Sequence, residues 1–304
     1  MNVFGIDALR PGEHFIDACG VRLRAVVDVP PGSDEGGLGA PVLVLHGFTG
    51  SAESMESVSA SLCADHPVIR LELIGHGGSD SPVERECYAM EACAEQIVEV
   101  VRQLRIEPPH LLGYSMGGRA AIAAALLHPK SFASLILIGA TAGIADAVAR
   151  SSRIEADRIL ADRIESMPLA EFVDDWMALP IFASQKRLGD EALARARAQR
   201  MRNQPVGLAN SLRGMGAGAQ APLFDRLERF SRPVLLVAGE EDEKFTEIAA
   251  SLCASFPNAR REIVSGSGHA VHLEAPAKFG ELTRDFLAAS SLSLSSALRR
   301  SDRV

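Results

Sequence analysis

The sequence predicts an α/β fold in which a mostly parallel sheet is flanked by helices and interrupted by one helical insertion. Short apolar runs at 41–45, 135–138 and 233–238 have the unbroken hydrophobicity of strands buried on both faces of a parallel sheet. Between such runs in the first half lie stretches with apolar residues at helical spacing, so strand and helix alternate. With 304 residues, 47% of them hydrophobic and 23% charged, the chain can bury one large core and still carry an insertion.

Residues 14–29 alternate apolar and polar side chains around Cys19-Gly20, a turn signal, and read as an opening β-hairpin. A glycine-rich loop follows at 30–40. Pro41-Val42-Leu43-Val44-Leu45 is the first buried strand, and it runs into His46-Gly47-Phe48-Thr49-Gly50-Ser51. Val68-Ile69-Arg70-Leu71 is the next, leading into the glycine-bearing loop Glu72-Leu73-Ile74-Gly75-His76-Gly77-Gly78-Ser79. His76 reads as a structural loop histidine there, because a better base occurs later in the chain. Residues 89–104 present Ile97, Val100, Val101 and Leu104 at the spacing of a helix laid on a sheet, and Pro108-Pro109 closes it.

The strand His110-Leu111-Leu112 then enters Gly113-Tyr114-Ser115-Met116-Gly117-Gly118-Arg119, which fills the G-x-S-x-G pattern of a nucleophile elbow. Small residues two before and two after the serine are needed there, because a strand turning sharply into a helix brings backbones close. An alanine- and leucine-rich helix at 119–128, stopped by Pro129, completes the strand-turn-helix context and makes Ser115 the candidate nucleophile or base. In the α/β-hydrolase architecture the His-Gly at a strand end supplies half of an oxyanion hole. The N–H of Phe48 is one expected donor and that of Met116 the other.

After the strand at 135–139 the character changes. Residues 142–221 are rich in Arg, Asp, Glu and Ala, with helical stretches and no clear strand, and read as a cap over the ligand crevice. The core is thus expected at 1–141 and 222–289, with a serine- and arginine-rich mobile tail at 290–304. Most arginines of the insertion are expected on solvated helix faces, paired with nearby acids.

The sheet resumes at Pro233-Val234-Leu235-Leu236-Val237-Ala238-Gly239, and its turn holds four acids, Glu240, Glu241, Asp242 and Glu243. A final strand and glycine-rich turn, Ile263-Val264-Ser265-Gly266-Ser267-Gly268-His269, presents a histidine. The order Ser115, Asp242, His269 is that of an α/β-hydrolase triad, with Asp242 orienting His269. His272 is the competing histidine and is expected to pack locally. Phe279, Leu282 and Phe286 make the last helix amphipathic.

A formal net charge of -8 argues against a nucleic acid or an anionic membrane as the main partner. The five cysteines form no CxxC pair or zinc spacing and are expected to be buried thiols in a reducing compartment. No basic segment with an apolar run opens the chain, and no stretch of ~18 apolar residues could span a bilayer, so a cytoplasmic location is expected.

Leu45-His46-Gly47-Phe48-Thr49-Gly50-Ser51, the elbow heptad, Ser211-Leu212-Arg213-Gly214-Met215-Gly216, Gly239-Glu240-Glu241-Asp242-Glu243-Lys244-Phe245 and Gly268-His269-Ala270-Val271-His272 together resemble the 2-succinyl-6-hydroxy-2,4-cyclohexadiene-1-carboxylate synthases of the α/β-hydrolase superfamily. The resemblance covers all but the C-terminal tail. It implies a lyase of menaquinone biosynthesis that eliminates pyruvate from a succinylated cyclohexene enolpyruvyl ether, without metal or organic cofactor. That substrate is a tricarboxylate, and arginine suits it because a planar guanidinium binds carboxylate in bidentate fashion. By resemblance the binding residues are Arg119, Arg153, Arg200 and Lys244, with Arg150 and Arg202 as the nearest rivals of the two cap arginines. Tyr114, and Trp176 within Asp174-Asp175-Trp176, would line the pocket. Two other functions use the same residues: an ester or carbon-carbon bond hydrolase with the same triad, and a non-catalytic binding protein on the same scaffold.

Overall fold

The computed structural model describes residues 9–30, 38–106 and 108–301, with side chains to residue 290. In chain order the elements are β1 (Gly12–Ala18), β2 (Val21–Asp28), β3 (Val42–Leu45), α1 (Glu56–Leu62), β4 (Val68–Leu71), α2 (Met90–Gln103), β5 (His110–Tyr114), α3 (Met116–Leu127) and β6 (Ser134–Ile138). The helical insertion follows as α4 (Ala147–Ser166), α5 (Leu169–Met177), a 3-10 stretch (Pro180–Leu188), α6 (Asp190–Arg200) and α7 (Pro205–Met215). The chain then returns through β7 (Val234–Gly239), α8 (Glu243–Ser255), β8 (Ala259–Val264), α9 (Val271–Glu274) and α10 (Pro276–Ser301).

The strands form one sheet in the order β1-β2-β4-β3-β5-β6-β7-β8. The first two pairings are antiparallel and the rest parallel. The expected hairpin is thus the edge of the sheet, turned at Cys19 and Gly20, whose φ values of 55° and 82° suit a two-residue turn matching strand twist. The glycine-rich loop expected at 30–40 falls largely outside the described residues.

Successive residues of a strand face opposite sides, and that period divides the core in two. Leu43, Leu45, Leu111, Leu135 and Leu137 meet α2 and α3 on one face. Val42, Val44, Leu112, Ile136 and Ile138 meet α1 and α10 on the other, where Phe279 and Phe286 are buried as the amphipathic reading required. Both faces are covered, which explains why these strands read as continuous apolar runs. The insertion has its own small core of Ala161, Ile164, Phe172, Val173, Leu208, Ala209 and Leu212.

Three expectations need correction. Only Cys93 is buried; Cys63, Cys87 and Cys253 are partly exposed and Cys19 is exposed, because it occupies the hairpin turn. The last strand starts at Ala259, four residues before the apolar pair Ile263-Val264, since on this edge strand Arg260 and Arg261 are exposed, Glu262 is partly so, and the three carry no hydrophobic signal. Residues expected as a separate tail continue α10 to Ser301, and 302–304 lie outside the described residues. No helix among the described residues is long and apolar enough to cross a membrane.

Candidate active site

Ser115 stands between β5 and α3 with φ 52° and ψ -108°, a backbone conformation that costs a non-glycine residue about 1–3 kcal/mol. The neighbouring backbone holds it there. A Cβ on Gly113 would run into the Gly117 carbonyl, and one on Gly117 into the carbonyls of Leu45 and His46. The elbow is therefore pressed onto the end of β3, and only glycine fits at either position. The Ser115 N–H donates to the Ile138 carbonyl at 2.8 Å, fixing the turn to β6 as well.

The expected order of acid and base is realised in space. His269 Nε2 lies 3.1 Å from Ser115 Oγ, and His269 Nδ1 lies 2.6 Å from Asp242 Oδ2. A carboxylate accepts at Nδ1, so that nitrogen carries the proton and Nε2 is left to take one from the serine hydroxyl. The His269 side chain is 2% exposed and that of Asp242 11%. The other acids of the turn are engaged elsewhere: Glu240 accepts from the Gly266 N–H and Glu241 pairs with Arg187, while Glu243 begins α8. Asp242 also caps α8 through the Phe245 N–H.

Phe48 and Met116 line the same cavity as Ser115. The Phe48 N–H has no acceptor among the described residues, and Met116 is the first residue of α3, where helix geometry leaves N–H groups free. The Phe48 loop is anchored by His46, whose Nε2 accepts the Leu73 N–H at 3.0 Å and whose Nδ1 donates to the Gly47 carbonyl at 2.7 Å. Burial holds this imidazole neutral, with its pKa lowered to about 4. Asn203 of the insertion ties the same region together, donating to the Thr49 carbonyl and accepting from the Gly77 N–H, each at 2.9 Å.

His76 and His272 are both buried, and burial lowers each pKa to about 3. The His76 ring packs on His46 and Phe48, and that of His272 on Tyr114 and Phe279. Both are packing residues, as the sequence suggested.

The cavity above Ser115 has a volume of about 340 Å³, and Arg119, Arg153, Trp176, Lys244 and His269 share its lining. Arg119 is 8% exposed and donates only to the Met215 carbonyl and Gln220 Oε1. It has no carboxylate partner among the described residues, and burial together with the neighbouring positive charge of Arg153 lowers its pKa to about 10. It therefore remains cationic at neutral pH. Lys244 likewise has no acid partner there, sitting 5.7 Å from the centre of the Phe245 ring, while Arg153 bonds Asp157 at 2.7 Å. Trp176 both packs and lines: its ring meets Phe48, Phe172 and Phe182, and its buried indole N–H has no partner among the described residues.

Two expected residues are not in this cavity. Tyr114 and Arg200 line an adjacent one of about 440 Å³ on the other side of Phe48, with Gln185 and His272. Arg200 reaches only the Ala196 carbonyl and leaves a buried Nε without a partner. Of the rivals of Arg153 and Arg200, Arg150 donates to carbonyls of Ile144 and Ala145 and Arg202 pairs with Glu53 at 3.1 Å, and neither lines either of these two cavities. Four other insertion arginines behave as surface groups, Arg158 with Glu155 and Asp162, Arg163 with Asp175, Arg195 with Glu191 and Arg197 with Asp174, whereas Arg213, its side chain only 13% exposed, pairs with Asp162 and Glu165.

Sequence reasoning gave no site role to Phe182, Phe245 or Ser211, which also line the cavity, nor to Arg24. Arg24 bonds Glu13, Glu53 at 2.9 Å and Glu72 at 2.7 Å. Glu72 is fully buried and also accepts N–H groups of Ala52 and Gly78, so this hub fixes the loops after β3 and β4. Burial pushes the Glu72 carboxyl up; for Glu53 burial acts the same way, but the bond from Arg24 outweighs it and holds the pKa near 2. Acids and bases so far apart in the chain leave no local signal. Among the described residues no cluster of three or more His, Cys, Asp or Glu could hold a metal ion.

Residues 40–276 match the model of the alpha/beta hydrolase fold family. A Bacillus subtilis (strain 168) protein provisionally named 2-succinyl-6-hydroxy-2,4-cyclohexadiene-1-carboxylate synthase is 40% identical over 268 residues, covering 88% of this chain and 95% of that relative. The synthase of that name from Serratia proteamaculans (strain 568) is 32% identical over 244 residues, 80% of this chain and 91% of the relative. Among solved structures, MenH from S. aureus superposes with a TM-score of 0.83 at 27% identity, covering 88% of this chain and 98% of that one.

Proposed function

The chain belongs to the α/β-hydrolase family and, within it, to the 2-succinyl-6-hydroxy-2,4-cyclohexadiene-1-carboxylate synthases, and from that premise we propose that it eliminates pyruvate from 2-succinyl-5-enolpyruvyl-6-hydroxy-3-cyclohexene-1-carboxylate. The observation that carries the reading is the coincidence, in one cavity, of the Ser115-His269-Asp242 chain with the unpaired cations Arg119 and Lys244. Lys244 is exposed, but Arg119 is buried, and burying a cation without a counter-charge is unfavourable unless a ligand supplies the anion. A tricarboxylate supplies three, for which Arg119, Arg153 and Lys244 beside Ser115 and Arg200 beyond Phe48 are the recipients.

In this mechanism Asp242 holds the His269 tautomer, and Nε2 draws the Ser115 proton so that Oγ can remove a proton from the substrate ring. The electron pair of the C–H bond at ring carbon C2 forms the C2–C3 double bond, the existing C3–C4 double bond shifts to C4–C5, and the C5–O bond breaks. The leaving group departs as the enol of pyruvate, taking up the proton relayed through Ser115 and His269. The N–H groups of Phe48 and Met116 hold the negative charge that develops, and loss of one such donor costs about 10²- to 10³-fold. Residues 142–221 act as the cap that closes this chemistry off, Trp176 shapes the wall of the chamber above Ser115 and Tyr114 that of the adjacent one, and the reaction runs in the cytoplasm, a reading supported by cysteines that form no disulfide.

The test is pyruvate release, followed with a lactate dehydrogenase couple, from the enolpyruvyl precursor generated in situ. Wild type is compared with Ser115→Ala, Arg119→Ala and an enzyme-free baseline. Release well above baseline that is lost in both variants is expected. Release at baseline by wild type, with turnover of simple aryl esters, would replace the lyase reading with a hydrolase.

A further inference from the structure

The turn that carries His269 is held by a carboxylate that the proposed mechanism does not use. Glu274, at the end of α9, has a side chain only 3% exposed. Its Oε2 accepts the Gly268 N–H at 2.8 Å and its Oε1 the Ala270 N–H at 3.1 Å, so one carboxylate grips the amides on both sides of the histidine. Charge-assisted bonds of this kind are stronger than neutral ones, and two from one planar group fix orientation as well as position.

The insertion reaches the same turn. Arg187, in the 3-10 stretch Pro180–Leu188, donates to the Gly266 carbonyl at 3.0 Å and stands 3.6 Å from Glu274 Oε2. Both of its terminal nitrogens also bond Glu241 Oε2 at 3.0 Å. Glu241 immediately precedes Asp242, and its N–H donates to the Ser267 carbonyl at 2.9 Å. One guanidinium thus spans the turn bearing the acid and the turn bearing the base. Beside it, Gly268 lies so close to Ser184 of the same stretch that a Cβ there would collide with the serine hydroxyl.

We propose that Glu274 and Arg187 are positioning residues: Glu274 sets His269 against Ser115 and Asp242, and Arg187 makes that alignment depend on docking of the insertion. This rests on the triad reading above. Arg187 is 54% exposed on its side chain, so as a surface ion pair its contribution to stability is small. Its contribution to alignment is the larger one, since a misplacement of about 1 Å can cost about 100-fold in rate.

The experiment compares wild type, Glu274→Gln, Arg187→Ala, Arg187→Lys and the surface control Arg158→Ala. Two readouts are used: pyruvate release per active site, and the rate at which a fluorophosphonate labels Ser115, which needs an aligned histidine but no natural substrate. Glu274→Gln keeps the shape but has only one accepting oxygen for two amides. Expected are about 10- to 100-fold losses in kcat with KM within threefold, and a parallel fall in labelling rate, for Glu274→Gln and Arg187→Ala. Arg187→Lys regains part of the loss and Arg158→Ala matches wild type. Labelling rates of both variants within twofold of wild type, or a kcat loss that vanishes once rates are divided by the fraction of labelled sites, would overturn the proposal. Absence of pyruvate release in wild type would overturn the lyase reading alone, because labelling still reports on the clasp.

Discussion

Lowering the pH from about 7 to about 5.5 will destabilise this protein through histidines that the fold keeps neutral. His46, His76, His110 and His272 are all at most 1% exposed. Burial lowers their pKa values from 6.5 to about 4, 3, 3 and 3 respectively. The unfolded chain takes up a proton at each site below about 6.5, whereas the folded chain does so only near 3 to 4. Stability is therefore present above the unfolded value and is lost as the pH falls toward the folded one. Between about pH 7 and about pH 5.5 each histidine forfeits about 1.3 kcal/mol, and four together about 5 kcal/mol, a large part of the total stability of an ordinary domain. Glu72 works in the opposite direction, because a carboxyl pushed up by burial gains folded-state protonation as the pH falls. Equilibrium urea unfolding at the two pH values, at one ionic strength, measures the difference. His272→Leu isolates one share, since its ring sits between Tyr114 and Phe279 and its Nδ1 has no partner among the described residues. The pH-induced loss shrinks by about 1.3 kcal/mol in that variant. Equal unfolding free energies for wild type at the two pH values, or an unchanged pH difference in His272→Leu, would refute the reasoning.

Arg119→Met removes a buried cation that no carboxylate balances, so the urea midpoint rises while kcat/KM for pyruvate release falls about 100-fold or more; a fall in both would mean that Arg119 is a structural residue. Asn203→Ala leaves the Gly77 N–H without its side-chain acceptor and the Thr49 carbonyl without its side-chain donor. Urea unfolding will record a loss of about 1–3 kcal/mol, and because Thr49 adjoins Phe48, kcat falls with it.

Much of the site was legible because its parts sit at strand ends, where a run of apolar residues gives way to glycine. Ser115, Asp242 and His46-Gly47-Phe48 each follow such a run, while His269 follows only the pair Ile263-Val264 and a glycine-rich turn. Local pattern was enough to nominate them, and their chain order suggested the roles proposed for them. What pattern cannot carry is the meeting of side chains far apart in sequence, as with Arg24 and Glu72 or Arg187 and Glu274. Tyr114 and Ser115 are adjacent yet line different cavities, because the strand's last residue and the first residue of the turn point different ways. The cations Arg119, Arg153 and Lys244 entered only by resemblance; composition alone could not separate them from the surface arginines of the insertion. Most of those surface arginines proved to be paired within or between its helices, which leaves the unpaired cations conspicuous.

The interlocking of Gly113, Gly117 and the ends of β3 bears on how such a protein can change over generations. A floor assembled from backbone contacts that admit no extra carbon offers almost no viable substitutions, and it will look frozen in any mutational scan. The facing wall is built from side chains of the insertion, among them Arg153, Trp176, Ile181, Phe182, Ser211 and Leu212, whose replacement alters the shape or charge of the chamber without touching the turn beneath. Laboratory selection for a new substrate will therefore accumulate its useful changes in the insertion, and the same elbow can serve unrelated chemistries under different roofs.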